Sequence, residues 1–265
     1  MSNINTAVAP RRPAIWRQLP IFITWLMIAA AVLYGPIDQL ADFHHFADQR
    51  SWFGVSNAAD VLSNIGFALV GGIGVCLLWR WQSLPAIGQG WGGYVIFFGA
   101  LLLTAFGSAY YHLAPDNSRL VFDRLPIAVA CAGLLSAVWN ENRTYHRWLP
   151  VVLSLAACLS VWWWRFTDMN GLGDLRPYLV IQVLPLVLIP ILKWQNGRLF
   201  REQFLFGLAI GCYVLAKVFE LSDHFVYAHL EMISGHTLKH LLATIAAAIV
   251  LACLYWRIRG NAGSE

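Results

Sequence analysis

Eight apolar stretches, each about as long as a bilayer is thick, dominate this chain. A helix crosses the hydrocarbon core with about 20 mostly apolar residues, because every backbone N–H and C=O must be hydrogen-bonded within the segment. The stretches lie at residues 19–37, 58–79, 92–113, 124–139, 147–166, 177–194, 203–221 and 235–256. The sequence therefore predicts an all-α fold, a polytopic transmembrane helix bundle that forms one domain.

Composition supports a membrane protein and argues against nucleic acid as a partner. The 265 residues are 58% hydrophobic and only 12% charged, a balance that the wetted surface of a soluble domain does not sustain. The formal net charge of +4 is modest, and the basic residues lie near the ends of the apolar stretches. That placement is typical of topology signals and headgroup contacts. We therefore expect an integral, multi-pass membrane protein with the bilayer as its main partner.

The stretches divide the chain into a core and an additional helix. We expect an N-terminal tail at 1–18, an additional transmembrane helix at 19–37, a seven-helix core at 57–256 and a C-terminal tail at 257–265. The first stretch also fits a cleaved signal peptide, because Arg11, Arg12 and Arg17 precede an apolar run that contains small residues. Its nearly full spanning length favours a retained helix. Both alternatives leave the core in the same orientation.

The distribution of Lys and Arg predicts that orientation. With the N-terminus inside, the inner segments hold eleven of the 18 basic residues and the outer segments hold five, while Lys217 and Lys239 lie within apolar stretches. Cytoplasmic loops of membrane proteins carry an excess of basic residues. Both termini are therefore predicted to be cytoplasmic.

Five polar residues stand where apolar ones are expected, and the predicted topology places them on the same, outer side. Ser108 and His112 are four residues apart near the end of one stretch, and His236 and His240 repeat that spacing at the start of the last one. Residues four apart share one face of a helix. Asp123 lies at the outer start of the stretch that follows His112. Ionisable groups within spanning segments usually face the bundle interior, so we expect these side chains to converge.

This set of residues fits the chemistry of a catalytic metal site. His112, His236 and His240 can supply three tetrahedral ligands to zinc and leave a fourth position for water. Asp123 would take a proton from that water and return it to a leaving amine, while Ser108 would hydrogen-bond the attacking water or the developing oxyanion. The pattern predicts metal-assisted amide hydrolysis.

Simpler interpretations exist for each part of the pattern. A single histidine within a span is often a hydrogen-bonded interior residue, and the HxxxH pair lacks the glutamate of the HExxH motif. Asp123 alone would fit an N-terminal helix cap. Four residues that open the second stretch fit capping and interhelical hydrogen bonds as well as a functional role; they are Asn57, Asp60, Ser63 and Asn64.

Three charged residues in the last two stretches predict an ion pair. Lys217 and Glu220 are spaced i, i+3, and Lys239 lies between the two histidines of the last stretch on a different helical face. Lysines at such positions pair with a carboxylate or extend their ammonium groups toward the interface. We expect them to be structural.

The ordered motifs resemble those of a known family. They are VLSNIGFALVGG (61–72), GSAYYH (107–112), VFDRLP (121–126), which contains Asp123, and SGHTLKH (234–240). Together they are similar to the alkaline ceramidase family, within a superfamily of seven-helix membrane hydrolases that also includes the adiponectin and progestin receptors. The resemblance covers roughly residues 57–256 and is closest to a bacterial, ceramidase-like branch, which implies a bacterial inner membrane.

The resemblance implies a zinc amidase that acts on ceramide-like lipids and releases a sphingoid base and a fatty acid. In that family pattern His112, His236 and His240 would be zinc ligands. Asp123 would handle the water and its proton, and Ser108 would contact that water or the oxyanion.

The regulatory calcium of the eukaryotic enzymes is not expected here, because Asn57 stands where that family has a glutamate. Two other function classes stay open. One is a receptor-like or sensing protein that retains a structural metal site. The other is a transporter, a proton relay or a haem protein.

Overall fold

Helices form the long regular elements of this protein. The structure, a computed structural model, describes residues 14–84, 87–197 and 200–262. Its helices are α1 (Ala14–Tyr34), α2 (Ala58–Ser63), α3 (Ile65–Arg80), α4 (Trp91–Leu113), α5 (Asn117–Asn142), α6 (Leu149–Met169), α7 (Arg176–Gln195), α8 (Phe200–Leu221), α9 (Asp223–Leu230) and α10 (Gly235–Ala262), with a 3-10 turn at Gly88–Gly90. Within these ranges, eight helical segments are long and apolar enough to span a bilayer. The predicted all-α polytopic transmembrane bundle is confirmed.

The first and last helices extend further toward the chain termini than the sequence predicted. α1 begins at Ala14, inside the predicted tail, where the Trp16 ring packs edge-on against Trp194 with 6.0 Å between centroids. α10 continues to Ala262, beyond the predicted end at residue 256. Arg257 in this added part is paired with Glu141 of α5 at 2.7 Å. These contacts give the extra turns something to pack against. Residues 1–13 and 263–265, and Arg198 among the basic residues counted for topology, lie outside the described residues.

The second predicted span consists of two helices. The backbone N–H of Asn64 points to the Val61 carbonyl at 3.4 Å instead of continuing the regular ladder to Asp60. The Asp60 carbonyl accepts hydrogen bonds from Ser63 Oγ and Asn64 Nδ2 instead, each at 2.8 Å. Side chains therefore replace the backbone donor where α2 ends and α3 begins.

Small residues allow α4 and α5, the most extensively packed pair of helices, to approach closely. A Cβ atom at Gly107 would overlap the carbonyl oxygen of Phe122, and one at Gly93 would overlap the backbone of Ala137. Helices in lipid associate through such close packing, because the tails around them are as apolar as the helices. The approach at Gly107 brings its neighbour Ser108 next to the turn that carries Asp123.

α1 lies outside the seven-helix core and packs mainly against α7. The Arg176 guanidinium donates to the carbonyl oxygens of Ala31 and Val32 at 3.2 and 3.3 Å, and Asp174 holds it with two bonds of 2.9 Å. A cation at this position satisfies carbonyl groups that have no partner within the helix and complements the helix dipole. The loop that carries Asp174 therefore adds polar contacts at the C-terminal end of α1 to its packing against α7.

Four helix ends meet at one end of the bundle. They are the C-terminus of α4 and the N-termini of α2, α5 and α10. Asn57, just before α2, donates from Nδ2 to the carbonyl oxygen of His112 at 2.8 Å, and Thr237 of α10 donates to Asp60 Oδ1 at 2.6 Å. These bonds hold the helix ends together. The polar residues that were predicted to converge therefore lie on neighbouring helix ends.

Candidate metal centre

Three histidine rings converge where these helix ends meet. His112 lies in the last turn of α4, and His236 and His240 lie in the first two turns of α10. Their ring centroids are 4.8 to 5.1 Å apart, and one ligand nitrogen from each lies within 4.8 Å of the other two. In a tetrahedral site with Zn–N bonds of about 2.0–2.1 Å, two nitrogens are about 3.3 Å apart. The predicted histidine cluster is confirmed as a group that could hold a metal ion.

The histidines are buried, and one of them lacks hydrogen-bond partners. His112, His236 and His240 have 0%, 4% and 2% of their surface exposed. Neither ring nitrogen of His112 has a partner among the described residues. A buried polar atom left unpaired costs about 1–3 kcal/mol, so such a ring needs a partner beyond those that the described residues supply. A metal ion bound by three imidazoles satisfies this need.

The backbone around the histidines is fixed by polar side chains. Asp223 Oδ1 accepts from the backbone N–H of His236 at 2.8 Å, and Ser234 Oγ accepts from that of Thr237 at 3.0 Å. These bonds satisfy two backbone donors in the first turn of α10 that have no partner within the helix. The turn that carries two of the three histidines is therefore well anchored.

Ser108 and Asp123 lie beside the cluster, on the wall of a cavity that His240 also lines. Both side chains are buried, and neither Ser108 Oγ nor Asp123 Oδ1 has a hydrogen-bond partner among the described residues.

Asp123 is not the helix cap of the simpler interpretation. That position belongs to Asp116, whose carboxylate accepts from the backbone N–H of Arg119 at 2.8 Å. This hydrogen bond lowers the pKa of Asp116 below its usual value.

The cavity is lined mostly by apolar side chains from α3, α4, α5, α7, α8 and α10. It begins at Ser108, Asp123 and His240 and continues past Phe206 to Val250. The ten residue steps along α10 from His240 to Val250 rise about 15 Å, so the cavity extends about that far along the helix.

The predicted ion pair is confirmed as a triad. Glu220 accepts from Lys217 at 2.8 Å through one carboxylate oxygen and from Lys239 at 2.7 Å through the other. Lys239 Nζ also lies 3.2 Å from His236 Nε2, and both lysines line the cavity. The triad therefore carries one surplus positive charge beside the cluster.

Sequence patterns did not predict the residues that pack over the histidines. Phe46 is 4% exposed, and its ring centroid lies 4.6 Å from those of both His112 and His236. It belongs to residues 43–50, here named the strap, which has no helical period to mark it. Tyr111 is 1% exposed, packs beside His112 and hydrogen-bonds to His44 Nδ1 at 2.9 Å. The strap therefore also covers this face of α4.

Polar contacts hold the strap in place. Ala47 donates its backbone N–H to Asp223 Oδ2 at 2.9 Å, and Arg50 donates to the Met232 carbonyl oxygen at 2.7 Å. Asp48 pairs with Arg50 at 2.7 Å, and that hydrogen bond lowers the pKa of the Asp48 carboxyl. Asp223 thus joins the strap to the first turn of α10.

Comparison with models of known protein families finds no match to this chain, and comparison with curated proteins finds none either.

Proposed function

We propose that this protein is a membrane-embedded, zinc-dependent amide hydrolase that acts on ceramide-like lipids. The observation that carries the proposal is the convergence of three buried imidazoles with Ser108 and Asp123 at the polar end of an apolar cavity. The ordered motifs that resemble the alkaline ceramidase family support the same chemistry. Long N-acyl lipids combine an apolar chain with one polar amide, and the mostly apolar lining with polar residues around His240 supports a ligand of this kind.

The donor set fits zinc. His112, His236 and His240 would hold the ion, since three neutral imidazoles with an open fourth position are the pattern of catalytic zinc sites. When bound, zinc supplies Lewis-acid polarisation of a carbonyl group and makes a coordinated water acidic near neutral pH.

The remaining steps belong to side chains that lack partners among the described residues. Asp123 Oδ1 accepts a proton from the attacking water and returns it to the amide nitrogen as the C–N bond breaks. Ser108 Oγ–H donates to the carbonyl oxygen while negative charge develops there. The apolar wall of the cavity excludes water from the acyl chain of the substrate and orients the substrate amide toward the histidines. The products are an amine and a carboxylic acid, which then ionises to the carboxylate.

The decisive experiment combines metal analysis with hydrolysis of a panel of ceramides by protein purified in detergent or nanodiscs. Wild type should contain about one zinc per chain, and His240→Ala should lose both zinc and activity. His229→Ala is the matched control, because His229 is exposed on α9. Full hydrolysis by His240→Ala would contradict the proposal.

Asp123→Asn separates an enzyme from a receptor-like protein with a structural metal. An enzyme should lose about 100- to 10,000-fold in turnover while it keeps its metal. Asp116→Asn, at the cap of the same helix, should retain activity. A sensor would keep both its metal and its ligand response in Asp123→Asn.

We also propose that the protein lies in a bacterial inner membrane with both termini cytoplasmic and the histidines on the outer side. The excess of basic residues on the inner side supports this orientation. A C-terminal fluorescent fusion that folds only in the cytoplasm should be bright, and a periplasmic phosphatase fused at the same place should be inactive. The reverse result would overturn the orientation and leave the chemistry untouched.

A further inference from the structure

Ser63 contacts a ring nitrogen of the metal cluster. Its Oγ lies 2.7 Å from His240 Nδ1 and 2.8 Å from the carbonyl oxygen of Asp60. Both distances are within the range of good hydrogen bonds.

The two contacts together determine the tautomer of His240. A carbonyl oxygen only accepts, so the proton between Ser63 and Asp60 must be the hydroxyl proton of Ser63. That hydroxyl has a single proton, and the contact with His240 must therefore use a ring N–H as donor. Nδ1 carries this proton, and the free lone pair of the ring is on Nε2.

The interruption between α2 and α3 makes this arrangement possible. In a continuous helix the Asp60 carbonyl would accept the backbone N–H of Asn64, but that N–H points to Val61. The Asp60 carboxylate in turn accepts from Thr237 of α10 at 2.6 Å. One residue thus attaches α2 to α10 through its side chain and orients Ser63 through its backbone.

We infer that Ser63 is a positioning residue that fixes His240 as the Nδ1–H tautomer, so that His240 offers Nε2 to a metal ion. This inference rests on the metal site under the proposed function. It assigns a role to a side chain that capping alone would explain equally well from the sequence. A hydrogen bond to the distal nitrogen of a ligating histidine sets ring orientation and ligand basicity, and its loss typically weakens metal binding about 10- to 100-fold.

Zinc affinity, measured by competition with a chromophoric chelator, tests the inference without reference to turnover. Ser63→Ala should weaken binding by about 10- to 100-fold, and Ser63→Thr, which keeps the hydroxyl, should stay close to wild type. The matched control is Ser160→Ala, because Ser160 makes the same bond to the carbonyl three residues earlier, at 2.7 Å, on α6 away from the histidines. Unchanged affinity in Ser63→Ala, or equal loss in Ser63→Thr, would overturn the inference.

The tautomer can also be read in the wild-type protein, which removes any dependence on how the variants fold. Nitrogen-15 NMR of histidine-labelled, metal-free protein should show His240 with a protonated Nδ1 and an unprotonated Nε2, the signal being assigned by its loss in His240→Gln. The opposite tautomer would overturn the inference. A wild-type protein that binds no metal would overturn the proposed function instead, while the NMR result still decides the Ser63 contact.

Discussion

The ring of Phe46 packs 4.6 Å from the ring of His112, although α2, α3 and most of α4 lie between the two residues in the sequence. Phe46 contacts His236 at the same distance, so one aromatic side chain covers two of the three histidines. The strap that carries it precedes the core in sequence and is bonded to Asp223. Access from this end of the bundle therefore depends on the strap, whereas the cavity reaches His240 from between the helices.

Phe46→Ala should expose the cluster to water. The change removes a buried aromatic ring and should lower the free energy of unfolding by about 3–5 kcal/mol. It should also speed the modification of His112 and His236 by a water-soluble acylating reagent, read by mass spectrometry. Phe53→Ala is the control, since Phe53 follows the strap and is fully exposed. Equal modification rates in both variants would show that Phe46 does not shield the histidines.

Gly107→Ala should disrupt the placement of Ser108 against the turn of Asp123. The added methyl group would meet the backbone of Phe122, which cannot move aside as a side chain can. Overpacking of this kind costs about 1–3 kcal/mol or more. The melting temperature in detergent should fall, and the proposed hydrolysis should fall with it.

Gly99→Ala on the same helix provides the comparison, because nothing lies within 4 Å of its added methyl group. Alanine is the better helix former, so this variant should be as stable as wild type or slightly more stable. If both variants melted together, the close approach of α4 and α5 at Gly107 would not control stability.

The helices and the histidines were predictable from local pattern, because spanning length and i, i+4 spacing are properties of a continuous segment. Ser108, His112, His236 and His240 could be assigned to helix ends once the topology was counted. Asp123 was harder, because a carboxylate near a helix start looks like a cap. Only the structure shows that Asp116 holds the cap and leaves Asp123 for the cavity.

The contacts that organise the site were not predictable, because they join segments that carry no period. Phe46 comes from a strap without regular structure, and its burial depends on a carboxylate, Asp223, that lies far along the chain. Ser63 meets His240 because the helix is interrupted at Asn64, where the apolar pattern continues unbroken. Hydrophobic periodicity reports which face is buried, and it does not report where a side-chain donor replaces a backbone one.

Glu220→Gln should destabilise the fold near the cluster. Glu220 accepts from Lys217 and Lys239 at 2.8 and 2.7 Å, so its neutralisation leaves two ammonium groups close together without a counter-charge. Loss of one partner from a fully buried ion pair typically costs about 3–5 kcal/mol, and this partly buried triad should lose less. Thermal unfolding should report this loss, and Glu231→Gln, at an exposed position, should show little change. Equal melting of the two variants would mean that the triad contributes no net stability.

The docking of α1 should weaken at acidic pH because it depends on Asp174. Burial opposes ionisation, but hydrogen bonds from Arg176 and Trp163 outweigh it and lower the pKa of Asp174 to about 2. A carboxyl whose pKa is lower in the folded state stabilises fully above about pH 4 and loses that contribution as pH falls toward 2. The loss is about 2 kcal/mol. The melting temperature should fall with pH in wild type and in the exposed-site control Asp42→Asn. In Asp174→Asn the melting temperature should depend less on pH. If Asp174→Asn kept the pH dependence of wild type, another group would be responsible for the acid sensitivity.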